Sequence, residues 1–192
     1  MENELPKRKH PRLKKFDYSS SGAYYMTICT QNRKCLLSRI KKSNEVLVGR
    51  GLAPAVTEGI EYTKYGKIAE EQLLLLEERY PFLKINRYVI MPNHIHAVPI
   101  LGNRTAGARG VPRSECNEIW GFRASPRPTV VDIICAYKSL MTRECRKNGL
   151  VGSLFQTSFF EHVIRNQKEF DQIINYINEN PAKWYFDELY SE

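Results

Sequence analysis

The sequence contains no long apolar run, and nothing in it approaches the roughly 18 consecutive apolar residues that a membrane-spanning helix needs. Its first residues, MENELPKRKHPRLKKF, are charged throughout and lack the apolar core of a signal peptide. Cysteine is scarce as well, and the five that occur form no C-x-x-C pair, which argues against a disulfide framework and against a structural zinc site. We therefore expect a cytoplasmic protein with reduced thiols and no membrane association.

Acidic residues are also under-represented, with 21 against 29 basic residues, a formal net charge of +8 and a sequence pI near 9.3. A basic surface favours a polyanionic partner, and nucleic acid is the first candidate. The 192 residues, 42% of them hydrophobic, suffice for one domain with a buried core. We expect that domain over residues 16–192, preceded by a mobile basic arm over residues 1–15.

Hydrophobic periodicity divides the chain into strand-like and helix-like segments. Strands are predicted over 23–31, 84–91, 94–101 and 159–164, with a short further one over 44–49, and helices over 61–80, 129–149 and 167–180. A long loop rich in Gly, Arg and Pro is predicted over about 102–128. Pro92 and Asn93 separate two apolar strands and therefore predict a hairpin. This order of elements predicts an α+β fold with a mainly antiparallel sheet and helices on one face.

Two histidines, His94 and His96, stand two residues apart inside the apolar run YVIMPNHIHAVPIL. Because strand side chains alternate between faces, both imidazoles should point the same way. A buried imidazole without a partner costs about 1 to 3 kcal/mol, so each ring needs a hydrogen bond or a metal. Imidazole suits divalent transition metals, but two ligands make an incomplete site. The pattern alone leaves two readings open: a hydrogen-bonded pair inside the sheet, or part of a metal site with a third ligand elsewhere.

The last predicted helix has a flank that its apolar stripe does not explain. The stripe follows the i, i+3, i+4, i+7 pattern in Phe170, Ile173, Ile174 and Ile177. Tyr176 lies about 110° from the centre of that stripe at ~100° per residue, and Asn180 follows on the same flank one turn later. Each also has a simpler interpretation, Tyr176 as a boundary tyrosine and Asn180 as a residue that ends the helix before a proline.

Several segments together resemble the HUH single-strand DNA transposases, and more closely their REP-associated tyrosine transposase branch. The resemblance rests on YVIMPNHIHAVPIL, IICAYKSLMTRE and LFQTSFFEHVIRNQKEFDQIINYINENPAKW in that order, with AYYMTICTQNR and YGKIAEE before them. It therefore covers most of the chain from about Phe16 onward. It implies a ferredoxin-like or RRM-like central antiparallel sheet with helices packed mainly on one face.

The resemblance also implies roles for individual residues. His94 and His96 would bind a divalent metal, Mg²⁺ or Mn²⁺, Tyr176 would be the nucleophile, and Asn180 would be the third metal ligand. The mobile-element branch commonly has glutamine at the position of Asn180, so Glu179 is the alternative ligand. The implied reaction is metal-dependent cleavage and joining of single-stranded DNA next to hairpin or palindromic repeats, through a covalent 5′-phosphotyrosine. We expect a monomer or homodimer that associates with the nucleoid when bound to DNA.

Basic residues supply the candidate DNA contacts. They are Lys138, Arg143, Arg146 and Lys147 on the polar side of the second long helix, Arg165 in EHVIRN, the arm from Lys7 to Lys15, and Arg104, Arg109 and Arg113 in the long loop. Glu161 and His162 in EHVIRN also match the family pattern, but we do not assign His162 as a ligand. The alternative function is a non-catalytic single-stranded DNA or RNA, or hairpin-binding, module of the same fold, in which AYYMTI supplies stacking aromatics.

Overall fold

The computed structural model describes residues 16–41, 59–102 and 128–191. Strands β1 (Gly22–Cys29), β4 (Leu83–Ile90), β5 (His94–Leu101) and β6 (Phe160–Ile164) form an antiparallel sheet in the order β4-β5-β1-β6. Strands β2 (Ser38–Ile40) and β3 (Ile60–Tyr62) form a separate two-stranded sheet. The helices within these ranges are α1 (Lys64–Arg79), α2 (Val130–Lys147) and α3 (Gln167–Glu179). A short 3-10 turn, Trp184–Phe186, follows α3.

Short polar side chains set the beginnings of α2 and α3. The Thr129 hydroxyl accepts from the Asp132 amide at 3.2 Å, and the Asp132 carboxylate accepts from the Thr129 amide at 2.8 Å, which is a capping box. The Asn166 side chain accepts from the Glu169 amide at 2.9 Å and caps α3. Because its N-terminus is fixed in this way, α3 leaves β6 with a defined direction across the sheet.

The two faces of the central sheet bury different cores. On one face α1 and α2 cover the side chains of Tyr24, Met26 and Ile28 in β1, all fully buried. On the other face Ile177 of α3 and Trp184 pack with Val89 and Val98. The side chains of His94, His96 and Val98 in β5 point to this second face, and α3 is the described helix that lies on it. A helix and the chain that follows it therefore lie over the two histidines.

The structure confirms the predicted α+β class, the antiparallel sheet and the hairpin at Pro92 and Asn93. Helices α1 and α2 share one face as predicted, and α3 lies on the opposite one. Helix α1 begins at Lys64 rather than residue 61, because Ile60–Tyr62 pairs with Ser38–Ile40 and Thr63 then caps the helix.

Some predicted features cannot be compared with the structure. The basic arm over 1–15, the short strand over 44–49 and nearly all of the loop over 102–128 lie outside the described residues. In the three described ranges, no helix combines the length and apolarity needed to cross a membrane.

Candidate metal and nucleophile site

The two histidines lie side by side on one face of the central strand β5. Their ring centroids are 4.5 Å apart, and their side chains are buried, with 0% of His94 and 2% of His96 exposed. Strand β5 is paired on both sides, with β4 and with β1, so the backbone that carries the histidines is held rigidly. The shared face predicted from strand alternation is therefore observed.

The tautomer of His94 is fixed by Asn93. Asn93 donates through Nδ2 to the Leu189 carbonyl at 2.7 Å and to Ser191 Oγ at 2.9 Å, which sets the orientation of its amide. Its Oδ1, which only accepts, lies 2.8 Å from His94 Nδ1. The hydrogen of the His94 ring is therefore on Nδ1, and Nε2 presents a lone pair to the site.

His96 is held in a similar way by two hydroxyl groups. Its Nδ1 lies 2.8 Å from the Tyr25 hydroxyl and 3.0 Å from Thr27 Oγ1, and the Tyr25 ring stacks on it at 5.4 Å. Since a hydroxyl accepts as well as donates, Nδ1–H is compatible with both partners. This leaves Nε2 of His96, like Nε2 of His94, available to a ligand.

The polar atoms that face the site are left without hydrogen bonds. Nε2 of His94, Nε2 of His96 and Oδ1 of Asn180 are buried and have no hydrogen-bond partner within the described part of the chain. An unsatisfied buried polar atom costs about 1 to 3 kcal/mol, and a cation bound between these three atoms would satisfy them. The hydrogen-bonded reading of the histidine pair explains the Nδ1 atoms but not the Nε2 atoms.

Both imidazoles are neutral at pH 7. Burial lowers the pKa of His94 to about 4, although the nearby carboxylate of Asp187 and the Asn180 side chain act in the opposite direction. Burial also holds the pKa of His96 well below its usual value, and the adjacent His94 adds to this. Because metal ligands must be deprotonated, this is the state that binds a cation.

A carboxylate that the sequence analysis did not identify completes the cluster. Ligand atoms of His94, His96 and Asp187 all lie within 4.8 Å of one another. Asp187 follows the 3-10 turn Trp184–Phe186, outside any periodic pattern, so the sequence gives no sign of its position. Two imidazoles and a carboxylate are a donor set that binds divalent metals, and the residues present therefore fit such an ion.

The two candidate third ligands differ in where their side chains point. Asn180 is 2% exposed, lies beside His94 and donates through Nδ2 to Asp187 Oδ2 at 2.7 Å. The side chain of Glu179 is 57% exposed and pairs with Lys183 at 2.6 Å. The structure therefore brings Asn180 to the histidines and leaves the alternative, Glu179, at the surface.

Tyr176 stands beside the histidines with its ring partly open to solvent. Its ring centroid is 5.3 Å from that of His96 and 6.4 Å from that of Tyr25, and 45% of the residue is exposed. Partial burial raises the pKa of Tyr176, and the negative charges of Asp187 and Glu188 raise it further. The hydroxyl is therefore a neutral phenol at pH 7.

A cavity of about 960 Å³ opens over Tyr176 and His96. Its walls come from β1, from the chain that enters β6, from α3 and from the segment after α3. Besides Tyr176, two phenylalanines on these walls are exposed, Phe160 at 53% and Phe186 at 89%. The site is thus an open cleft with apolar rings at its margin.

The candidate DNA-binding residues are not all near this cavity. Lys138 donates to the carbonyls of Gln156 and Thr157 at 2.7 and 2.8 Å, and Gln156 lines the cavity. The other three basic residues of α2 do not line it; Arg143 and Lys147 pair with Glu144, and Arg146 donates to the Gly152 carbonyl.

The residues of the EHVIRN segment also lie apart from the metal-binding group. His162 Nε2 is 2.6 Å from Glu169 Oε1, and the amide of Arg165 donates to Glu169 Oε2 at 2.8 Å. Neither His162 nor Arg165 lines the cavity. Through Glu169, the segment joins the end of β6 to the first turn of α3.

Comparison with known proteins identifies the fold. No family model matches the sequence. An uncharacterized protein of Haemophilus influenzae is 29% identical over 189 residues, which span 95% of this chain and 93% of that protein. The solved structure of a REP-associated tyrosine transposase bound to a REP hairpin matches with a TM-score of 0.52 at 17% identity, covering 90% of this chain and 73% of that chain. The chain therefore has the fold of that transposase, and the resemblance read from the sequence is confirmed at the level of fold.

Proposed function

We propose that this protein is a metal-dependent endonuclease and strand transferase for single-stranded DNA, cleaving next to hairpin or palindromic-repeat DNA through a covalent 5′-phosphotyrosine. The observation that carries the proposal is the position of Tyr176. Its phenol ring lies 5.3 Å from the ring of His96, which is one of two buried imidazoles whose Nε2 atoms have no protein partner in the described ranges. A nucleophile and a cation site are thereby adjacent on the wall of one open cavity.

His94 and His96 would hold Mg²⁺ or Mn²⁺ through Nε2, and Asn180 would offer its Oδ1 as the third ligand. Bound there, the cation would neutralise the anionic oxygens of a phosphodiester and stabilise the charge that develops in the transition state. The chain's own contribution is orientation. Asn93 fixes His94 through Nδ1, and the hydroxyls of Tyr25 and Thr27 fix His96.

Tyr176 would attack the phosphorus of the scissile phosphodiester with its phenol oxygen. The bond from phosphorus to the 3′ oxygen breaks, a 5′-phosphotyrosine forms and a free 3′-hydroxyl leaves. Because its pKa is raised, Tyr176 enters as the phenol. Its proton passes to solvent in the open cavity as the new bond forms, and the departing 3′ oxygen takes up a proton to leave as the hydroxyl. Attack by a second 3′-hydroxyl on the phosphotyrosine reverses the step, so that one site cleaves and joins strands.

Three features support single-stranded DNA with a hairpin as the substrate. The protein carries a net charge of +8, and the transposase that shares its fold is bound to a REP hairpin. The exposed rings of Phe160 and Phe186 flank the cavity, and aromatic side chains are the usual stacking surfaces for unpaired bases. We place the activity in the cytoplasm, on nucleoid DNA, and assign it to a monomer or homodimer.

Covalent trapping tests the proposal. The protein is incubated with Mn²⁺ or Mg²⁺ and a labelled hairpin oligonucleotide with single-stranded extensions, and the products are resolved under denaturing conditions. Wild type should give a labelled, protease-sensitive adduct, and Tyr176→Phe should give none. Tyr185→Phe is the matched control, because Tyr185 is similarly exposed at 47% and should form the adduct normally. An adduct with Tyr176→Phe equal to that of wild type would show that the nucleophile is another residue.

Two further conditions separate the enzyme from a non-catalytic binding module of the same fold. His94→Ala and His96→Ala should abolish the adduct while hairpin binding persists, and a chelator should do the same to the wild type. A binding module would hold the hairpin equally well in all of these conditions and would never form the adduct. Cleavage retained in both histidine variants would remove the metal from the mechanism.

A further inference from the structure

We infer that Asp187 is a carboxylate ligand of the metal, and that the C-terminal segment, residues 184–191, must be docked for the metal to bind tightly. The inference rests on the proposed function only in taking His94 and His96 as the cation site. It adds a ligand that lies outside α3 and is brought in by a different stretch of chain.

The distances within the cluster support a shared ion. Two atoms that are each about 2.1 Å from one cation lie at most about 4.2 Å apart. The ligand atoms of His94, His96 and Asp187 lie within 4.8 Å of one another. Small side-chain shifts therefore bring all three atoms to one cation.

Charge supplies a second reason. His94, His96 and Asn180 offer only neutral donors, because an imidazole binds a metal in its neutral form and an amide oxygen carries no charge. Mg²⁺ and Mn²⁺ prefer anionic oxygen ligands, and a buried dication needs a compensating charge. Asp187 is the one carboxylate that the described ranges bring into this cluster.

The carboxylate of Asp187 is already oriented. Asn180 Nδ2 donates to its Oδ2 at 2.7 Å, and the Leu189 amide donates to its Oδ1 at 2.6 Å. A carboxylate has about four lone-pair sites, so both oxygens can still bind a cation. Asn180 therefore orients Asp187 through its Nδ2, while its own Oδ1, which has no hydrogen-bond partner within the described residues, can bind the same ion.

Asn93 connects the docking of the segment to the orientation of a histidine. It is fully buried, its Oδ1 holds His94, and its Nδ2 donates to Leu189 and Ser191. Ser191 Oγ in turn donates to the Arg33 carbonyl at 2.7 Å, and the Arg33 guanidinium donates to the Glu188 carbonyl at 3.2 Å. Loss of Asn93 should therefore release the segment and one ligand together.

Metal binding without DNA tests the inference. Trp184, whose ring lies 6.0 Å from that of His94, reports a bound Mn²⁺ by fluorescence quenching. A Trp120→Phe background removes the other tryptophan, and calorimetric titration checks the constants. Asp187→Asn should weaken Mn²⁺ binding at least about 10-fold, and Asn93→Ala about 10- to 100-fold, the range for residues that orient ligands. Glu188→Gln, which removes the same charge one residue away, should change it less than about 3-fold.

A ligand exchange gives a readout that a merely structural role cannot produce. Asp187→Cys places a thiolate at the site, and thiolates favour soft cations. The native cysteines give the wild type and Glu188→Cys a background sulfur-to-metal charge-transfer absorption with Cd²⁺. With one equivalent of Cd²⁺, Asp187→Cys should show a new band above that background, and adding His94→Ala should remove the new band. Equal Mn²⁺ affinities for Asp187→Asn and Glu188→Gln, no Mn²⁺ binding by wild type, or no new band would each overturn the inference.

The inference and the proposed function fail in different ways. If Asp187→Asn weakens Mn²⁺ binding but the wild type never forms a DNA adduct, the ligand assignment stands and the enzymatic proposal falls. If the adduct forms as proposed and Asp187→Asn binds Mn²⁺ as tightly as wild type, the enzymatic proposal stands and the assignment of Asp187 as a ligand falls.

Discussion

The rings of Tyr176 and His96 lie 5.3 Å apart at an interplanar angle of 68°, although one belongs to α3 and the other to β5. This arrangement depends on how α3 is seated on the sheet. Ile177, the residue after Tyr176, is fully buried in the core that contains Val98 of β5. The packing of Ile177 against the sheet therefore fixes the rotation of α3, and this rotation places the Tyr176 ring beside the histidines.

Ile177→Ala should destabilise the protein by about 2 to 5 kcal/mol, because it leaves a cavity beneath α3. The free energy of unfolding from denaturant titration measures the change. Val151→Ala is the control, since Val151 is 93% exposed and its truncation should have little effect. Equal stabilities for the two variants would mean that α3 is not held by this contact.

The metal-free protein should lose stability as the pH falls from about 6.5 to about 4. Burial lowers the pKa of His94 from 6.5 to about 4. The unfolded chain therefore takes up a proton in this range before the folded protein does, and protonation favours unfolding. The protonation of His94 on unfolding lowers the free energy of unfolding by on the order of 3 kcal/mol. This loss is absent above pH 6.5 and complete below pH 4.

Denaturant titrations in the presence of a chelator, at several pH values, measure this dependence. His94→Gln removes the titrating group and should make the dependence shallower than in wild type. Identical pH dependence for wild type and His94→Gln would contradict the predicted protonation of His94 on unfolding.

Much of this site followed from local patterns in the sequence. Strand alternation put His94 and His96 on one face, and helix periodicity separated Tyr176 and Asn180 from the apolar stripe. Asp187 could not be found in this way, because its position depends on how the chain turns back after α3. The pairing of Ser38–Ile40 with Ile60–Tyr62 was missed for a similar reason, since it joins short segments that are distant in sequence.

The exposed aromatic rings give a prediction about unpaired bases. Phe186→Ala should weaken binding of an oligonucleotide with a single-stranded extension by about 10-fold, because stacking contributes about 1 to 3 kcal/mol per base. Phe186 is 89% exposed, so the substitution should leave the fold intact. Fluorescence anisotropy measures the affinity of the protein for the extended oligonucleotide and for the bare hairpin. Only the affinity for the extended oligonucleotide should fall. Equal losses for both would place Phe186 at the hairpin instead.

The positions of the basic residues predict which of them contact the single strand. Lys183 lines the cavity, and its ion pair with Glu179 is exposed and therefore worth little. Arg146 is a residue of α2, on the other face of the sheet, and does not line the cavity.

If the DNA strand runs through the cavity, Lys183→Gln should lower the slope of log affinity against log salt by about 0.7, the value for one phosphate contact on a single strand. Arg146→Gln should leave that slope unchanged for a single-stranded oligonucleotide. The opposite pattern would move the strand to the α2 face, and the Tyr176 hydroxyl would then lie on the wrong side of the sheet to reach its phosphates.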